Sequence, residues 1–179
     1  MKFIDSDLQD YTGTGFNVYK DDQGDTIMKF QNGDWIKNDI IYADVFLGKC
    51  VSCSRFYKDS FTNFTYDSVL IAGLGFGLLP QELSAVNGCS KIDVVEISQE
   101  VIDYNVSSNH LNSDINVILG NIFNYTTPDQ YDLIIIDTIW KEEEMTEIQY
   151  QTLVAKFVGP NLNVGGALYV PVLNKFQVK

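Results

Sequence analysis

The sequence predicts an α/β protein. A doubly wound, mostly parallel sheet occupies residues 67–179, and a small β-hairpin region with a linking helix occupies residues 1–66. Three observations predict it. From Ser68 onward, short apolar runs alternate with helical patterns, the rhythm that parallel strand–helix–strand units require. The run Val69-Leu70-Ile71-Ala72 breaks into Gly73-Leu74-Gly75-Phe76-Gly77, a glycine-rich turn from strand to helix. The segment from Tyr131 to Asp137 is apolar at consecutive positions, as a central strand covered on both faces must be.

The elements follow in order. Residues 1–12 are polar and read as a weakly ordered lead-in. Phe16 to Lys20 and Thr26 to Gln31 alternate like strands, joined by a turn at Asp21-Asp22-Gln23-Gly24-Asp25. Asn32-Gly33 is a strong turn signal, and Asp34 to Lys37 gives a third short strand. Asn38 or Asp39 caps a helix running to about Gly48, while Cys50 to Asp67 is aromatic and fits no single element. After the glycines, a helix starts near Leu78-Leu79-Pro80, where proline suits the first turn, and stops at Asn87-Gly88. Ile92 to Val95 is a strand ending on Glu96, and Ser98 caps a helix to about Ser107. Ile115 to Leu119 is the third strand of the sheet, and Tyr131 to Asp137 the fourth. Met145 to Val158 is a helix, and Gly165-Gly166 leads into a last strand, Ala167 to Val172. On this reading the sheet is a short version that ends after its fifth strand. An edge left open there favours a homo-oligomer or a compact variant of the fold.

Composition narrows the partners. The net charge is −12, distributed as 10 acidic against 7 basic residues over 1–66 and 14 against 5 over 67–179. Such a field repels nucleic acid and favours cationic or neutral small molecules. The same acidity also serves plain solubility. No apolar run reaches the roughly 20 residues of a membrane span, and the start of the chain lacks the pattern of a signal peptide, so a cytoplasmic protein is expected. Cys50 and Cys53 form one C-x-x-C pair, but with a single histidine, His110, no local four-ligand zinc site can be assembled. No metal is expected, and reduced thiols are the simpler reading of the pair.

Candidate site residues gather at strand tips, where open parallel sheets bind ligands. Gly73, Gly75 and Gly77 let the main chain turn sharply and approach a ligand closely. Glu96, at the next strand tip, can accept both hydroxyl protons of a ribose. Asn121 offers a donor and an acceptor to an adenine edge, or simply shapes the turn after Gly120. Ile97 and Ile122, next in chain to these two, are counted with the cofactor-binding set. Asp137 closes the most apolar strand and can hold an amine or take its proton; the plain alternative is a loop-capping aspartate. Trp140 heads an acidic stretch, Lys141-Glu142-Glu143-Glu144, that reads either as a lid over the pocket or as a solvated entry to the next helix.

At these residues the chain resembles the class I S-adenosylmethionine-dependent methyltransferase fold, a Rossmann-like sheet, and more narrowly the spermidine synthase family. The matching stretches are VLIAGLGFG, VVEIS, LGNIF and YDLIIIDT, with Asp39-Ile-Ile-Tyr42-Ala-Asp44 ahead of them. The resemblance implies that the glycine loop passes the methionine moiety, Glu96 binds ribose, Asn121 contacts adenine and Asp137 helps deprotonate the attacking amine. It places Tyr42 and Asp44 at the acceptor. Departures are visible too. Phe76 stands where an amine-binding aspartate is expected, Trp140 replaces a second aspartate, Ala43-Asp44 replaces a His-Glu pair, and Thr14 replaces a hairpin glutamine.

The expectation is an S-adenosylmethionine-dependent transferase that moves a methyl or an aminopropyl group to a small amine, with methyl transfer preferred because Phe76 cannot pair with an aminopropyl ammonium. The alternatives are a spermidine synthase proper, using decarboxylated S-adenosylmethionine and putrescine, and a non-catalytic nucleoside-binding protein of the same fold. An NAD-dependent enzyme fits worse, because the glycine spacing lacks the third glycine one place later.

Overall fold

The computed structural model describes residues 9–22, 24, 26–33, 35–38, 66–87, 89–108, 111–138, 145–170, 173 and 175–179. The helix expected from residue 39 to about 48, the Cys50–Cys53 pair, His110, and the candidates Tyr42, Asp44 and Trp140 lie outside them. Two sheets make up the described structure. The first is antiparallel, with β1 (Tyr11–Thr12), β2 (Phe16–Lys20), β3 (Thr26–Phe30) and β4 (Trp35–Asn38) in sequence order. The lead-in therefore ends earlier than its polarity implied. Tyr11 pairs with Val18, and its ring lies 5.1 Å from Phe16 and 5.5 Å from Tyr104, contacts that fix a two-residue strand.

The second sheet contains β5 (Ser68–Ala72), β6 (Lys91–Glu96), β7 (Ile115–Leu119), β8 (Tyr131–Ile136), β9 (Leu162–Val170) and β10 (Lys175–Val178), in the order β10-β9-β8-β5-β6-β7. All pairings are parallel except β10 with β9. Helices α1 (Leu78–Asn87), α2 (Gln99–Ser107) and α3 (Glu147–Phe157) link the strands. Strand period two sorts the core into two faces. Val69, Ile71, Leu133 and Ile135 join Leu79 and Leu83 of α1, Val101 and Tyr104 of α2, and Phe16, Val18 and Met28 of the first sheet. Leu70, Ala72, Ile134 and Ile136 face the other way, onto Tyr150, Leu153 and Phe157 of α3. This is the doubly wound arrangement that the sequence predicted.

Two expectations at the C-terminal end need correction. The last parallel strand is Leu162–Val170, not Ala167–Val172, and Gly165-Gly166 lie inside it. Gly165, at φ +81°, sits where the pairing with β8 shifts register, so the glycines are a bulge rather than a lead-in turn. The sheet also does not end at its fifth strand. β10 pairs antiparallel along β9, from Lys175 opposite Val170 to Val178 opposite Ala167. Four residues are too short to announce a strand by pattern, but Lys175 anchors them through Glu147 and over the Tyr150 ring. The expected open edge at the fifth strand is thus covered. Among the described residues no helix is long and apolar enough to cross a membrane.

Candidate functional site

The glycine loop is tied to strands on both sides. Gly73 donates its N–H to the Val95 carbonyl at 2.9 Å, and the Asp137 N–H donates to the Ala72 carbonyl at 2.8 Å. Gly73 has φ +95°, and a Cβ there would stand 2.4 Å from the Asp137 carbonyl oxygen. Its lack of a side chain therefore serves the approach of β8 as well as any ligand. Glu96 is 8% exposed and accepts the Leu74 N–H on Oε2 and the Ser98 N–H on Oε1, each at 2.8 Å. It holds the glycine loop while keeping further lone pairs on both oxygens. From below, the fully buried Asn105 of α2 donates through Nδ2 to the Gly75 and Val101 carbonyls, both at 2.8 Å.

Above these groups lies a cavity of about 440 Å³ at the carboxyl ends of the strands. Gly73 and Gly75 line its floor, and Glu96, Ile97, Asn121 and Ile122 line one end. Asp137 and Thr138 line the other, while Gly15, Phe16, Phe30 and Asn32 of the first sheet form a roof. Gly77 does not line it; its N–H closes a turn onto the Leu74 carbonyl at 2.8 Å, and α1 begins at the next residue. Of the residues singled out from sequence, the cavity thus collects Gly73, Gly75, Glu96, Ile97, Asn121, Ile122 and Asp137.

Their chemical states differ. Asn121 spends Oδ1 on the Phe123 N–H at 2.9 Å, so the turn role is real, yet Nδ2 has no partner among the described residues. Asp137 is half-buried, accepts no hydrogen bond from the described residues, and burial pushes its carboxyl from 3.8 up to about 7. Beside it, Thr138 Oγ1 is buried without a partner among those residues. Phe76 is 5% exposed and belongs to the core, not the cavity wall.

Several residues escaped sequence reasoning. Phe16, Phe30 and Asn32 looked like ordinary hairpin positions, and only the docking of their sheet on α2, through Phe16 on Tyr104 and Gly15 on Glu100, makes them a roof. Ser98 was legible as a cap but also lines the cavity. Thr138 had one available signal, its place directly after Asp137.

No family model and no curated protein sequence matches the chain. Solved structures do. The plantazolicin methyltransferase BpumL, in complex with S-adenosylhomocysteine, superposes at a TM-score of 0.51 with 24% identity over 64% of this chain and 42% of that one. The fold is that of the Rossmann-like methyltransferases. The N-methyltransferase NodS from Bradyrhizobium japonicum, in complex with S-adenosylhomocysteine, gives 0.51 at 19% identity, covering 65% of this chain and 58% of that one. Coclaurine N-methyltransferase, bound to N-methylheliamine and the same nucleoside, gives 0.51 at 20%, covering 67% and 34%. The chain spans between a third and three-fifths of the lengths of these three enzymes, and at such identities the likeness is one of fold. All three are methyltransferases, so the narrower likeness to spermidine synthases rests on the sequence motifs alone.

Proposed function

We propose that the protein is an S-adenosylmethionine-dependent methyltransferase acting on a small, amine-bearing acceptor. The observation that carries the reading is Glu96, a nearly buried carboxylate that braces the glycine loop and also faces the cavity. The rest of the wall suits the same ligand. The Asn121 amide nitrogen, without a partner among the described residues, suits an adenine ring, Ile97 and Ile122 give that ring apolar flanks, and the Thr138 hydroxyl, likewise without a partner among those residues, suits a polar group of the ligand.

When bound, S-adenosylmethionine supplies a methyl group already activated by its sulfonium. The chain's own residues do the rest. Glu96 accepts the ribose hydroxyls with the lone pairs that its two main-chain bonds leave free. Phe16 and Phe30 close the acceptor side against water. Asp137, with its carboxyl held near 7, takes the proton that the acceptor nitrogen sheds as it is alkylated. Tyr42, Asp44 and Trp140 remain proposed acceptor contacts, and the division near residue 66 separates the roof residues Gly15, Phe16, Phe30 and Asn32 from the nucleoside floor. The acidic surface draws a cationic acceptor toward the site. Aminopropyl transfer would call for a carboxylate at position 76, where a core phenyl ring sits.

Calorimetry with S-adenosylmethionine, its decarboxylated form, S-adenosylhomocysteine and NADH tests the proposal. The first and third should bind, and Glu96→Ala should weaken both at least tenfold. Failure of every adenosyl-sulfur compound to bind would refute the reading, and tighter binding of the decarboxylated form would move it to aminopropyl transfer. Mass spectrometry against a panel of amines then separates an enzyme from a binding protein.

A further inference from the structure

Two glycines of the first sheet are shaped around one carboxylate. A Cβ on Gly13 would stand 1.8 Å from Glu100 Oε1, and one on Gly15 2.5 Å from Oε2. Neither glycine has a positive φ, so space rather than backbone conformation excludes a side chain there. The carboxylate could swing aside only by breaking the bonds it accepts. These come from the Gly15 N–H at 2.7 Å, the Tyr11 hydroxyl at 3.0 Å and the Thr14 hydroxyl at 3.3 Å. Glu100 lies in the first turn of α2, where the helix dipole favours a negative charge, two residues after the cap Ser98. One turn on, Tyr104 meets the Phe16 ring edge-on and donates its hydroxyl to the Gln9 carbonyl at 3.2 Å. Gly15 itself lines the cavity, and its carbonyl accepts the Gln31 N–H at 3.1 Å. The roof therefore hangs from α2 at a point where Glu100 makes the charged contacts.

We propose that Glu100 is a latch that fastens the first sheet over the cavity and so sets how long a ligand is retained. It touches no ligand and acts as a positioning residue. The ligand half of this inference rests on the methyltransferase reading; the latch half does not.

The test uses the full chain as wild type, Glu100→Ala, Gly15→Ala and the double variant. Amide exchange without ligand is the first readout. Glu100→Ala should speed exchange at residue 15 at least tenfold while Val94 and Val95 in β6 stay protected. S-adenosylhomocysteine release, followed by stopped flow, is the second. Each single variant should release it about tenfold faster, and the double variant no faster than the singles, because the two changes destroy one contact. Unchanged exchange at residue 15 would overturn the latch, and so would additive effects on release. Freed exchange with unchanged release would overturn its role in retention. A wild type that binds no S-adenosylhomocysteine would overturn the ligand half together with the methyltransferase reading, leaving exchange to decide the latch. Should Glu100→Ala fail to fold, Glu100→Gln removes the charge at constant size and should shift both readouts in the same direction.

Discussion

Replacing Asp137 with asparagine should make the protein more stable at pH 8, and the gain should shrink as the pH falls. Burial lifts this carboxyl from 3.8 to about 7, and no described residue donates a hydrogen bond to it. Between those values the folded chain keeps a proton that the unfolded chain has released. The neutral carboxyl's contribution to stability is therefore fully present below 3.8 and is lost as pH rises through about 7. A difference of about 3 units, at about 1.4 kcal/mol each, sets an upper figure of about 4 kcal/mol for the cost of holding the ionised form at pH 8. The side chain borders the cavity, so water and relaxation reduce that to roughly 2 kcal/mol. Asparagine keeps the shape and removes the charge.

Urea unfolding of both proteins at pH 5, 6, 7 and 8 reads the effect. At pH 8 the variant's midpoint should lie about 1 M higher, given slopes of about 1–3 kcal/mol per molar for small proteins. At pH 5 the gap should fall to about a third, because most of the proton difference lies above that value. A gap that stays constant from pH 5 to 8 would refute the burial argument and leave an ordinary solvated aspartate. If Asp137 serves as the base, kcat/KM of the wild type should rise with pH and level off above about 7, the ionised form being the active one.

Glu96→Gln leaves one of the Leu74 and Ser98 N–H donors facing an amide NH2 that cannot accept and the other a neutral oxygen, so urea unfolding should register a loss of about 1–3 kcal/mol. Asn105→Ala removes a fully buried amide and frees the Gly75 carbonyl, which lies partly buried beside the cavity. It should cost about 1–3 kcal/mol and weaken S-adenosylhomocysteine in thermal shift, because the loop loses its support from α2. Tyr131→Phe removes the hydroxyl that donates to Asp93 Oδ2 at 2.7 Å; it should cost about 1–3 kcal/mol with calorimetric ligand affinity unchanged, since it lies at the far end of β8 from Asp137. Leu153→Ala, in α3 and fully buried, should cost about 2–5 kcal/mol by the same unfolding assay.

How much of this was legible depended on whether the cause was local. Ser98 capping α2 and Ile115–Leu119 as β7 follow from side chains acting on their own neighbourhood, and both stand as the pattern implied. The consecutive apolar residues of β8 announced a central strand because both its faces are covered within the same fold. β1 and β10 could not be read, since two and four residues carry no period and are held by Tyr104, Glu147 and Tyr150 far off in sequence. Gly165-Gly166 misled for a related reason: glycine marks a turn and a bulge alike, and the register shift of β8 decides which. The floor of the candidate site was legible because strand tips fix it by chain order. Its roof was not, because nothing in Gly13 or Gly15 names Glu100 as the group they avoid.

That contrast explains why α2 matters more than its nine residues suggest. Its cap Ser98 and Val101 border the cavity, Glu100 and Tyr104 hold the first sheet above, and Asn105 holds the Gly75 carbonyl below. Residues 100, 101, 104 and 105 are spaced at one, three and four, so a single helical stripe faces the loop while its flank faces the hairpin. A rotation of this helix by one residue would move roof and floor contacts together, since both are fixed to the same rigid rod. The roof and the floor therefore cannot be adjusted independently. A substitution that loosens Asn105 should also register at residue 15, and the latch at Glu100 should be felt in the geometry of the glycine loop.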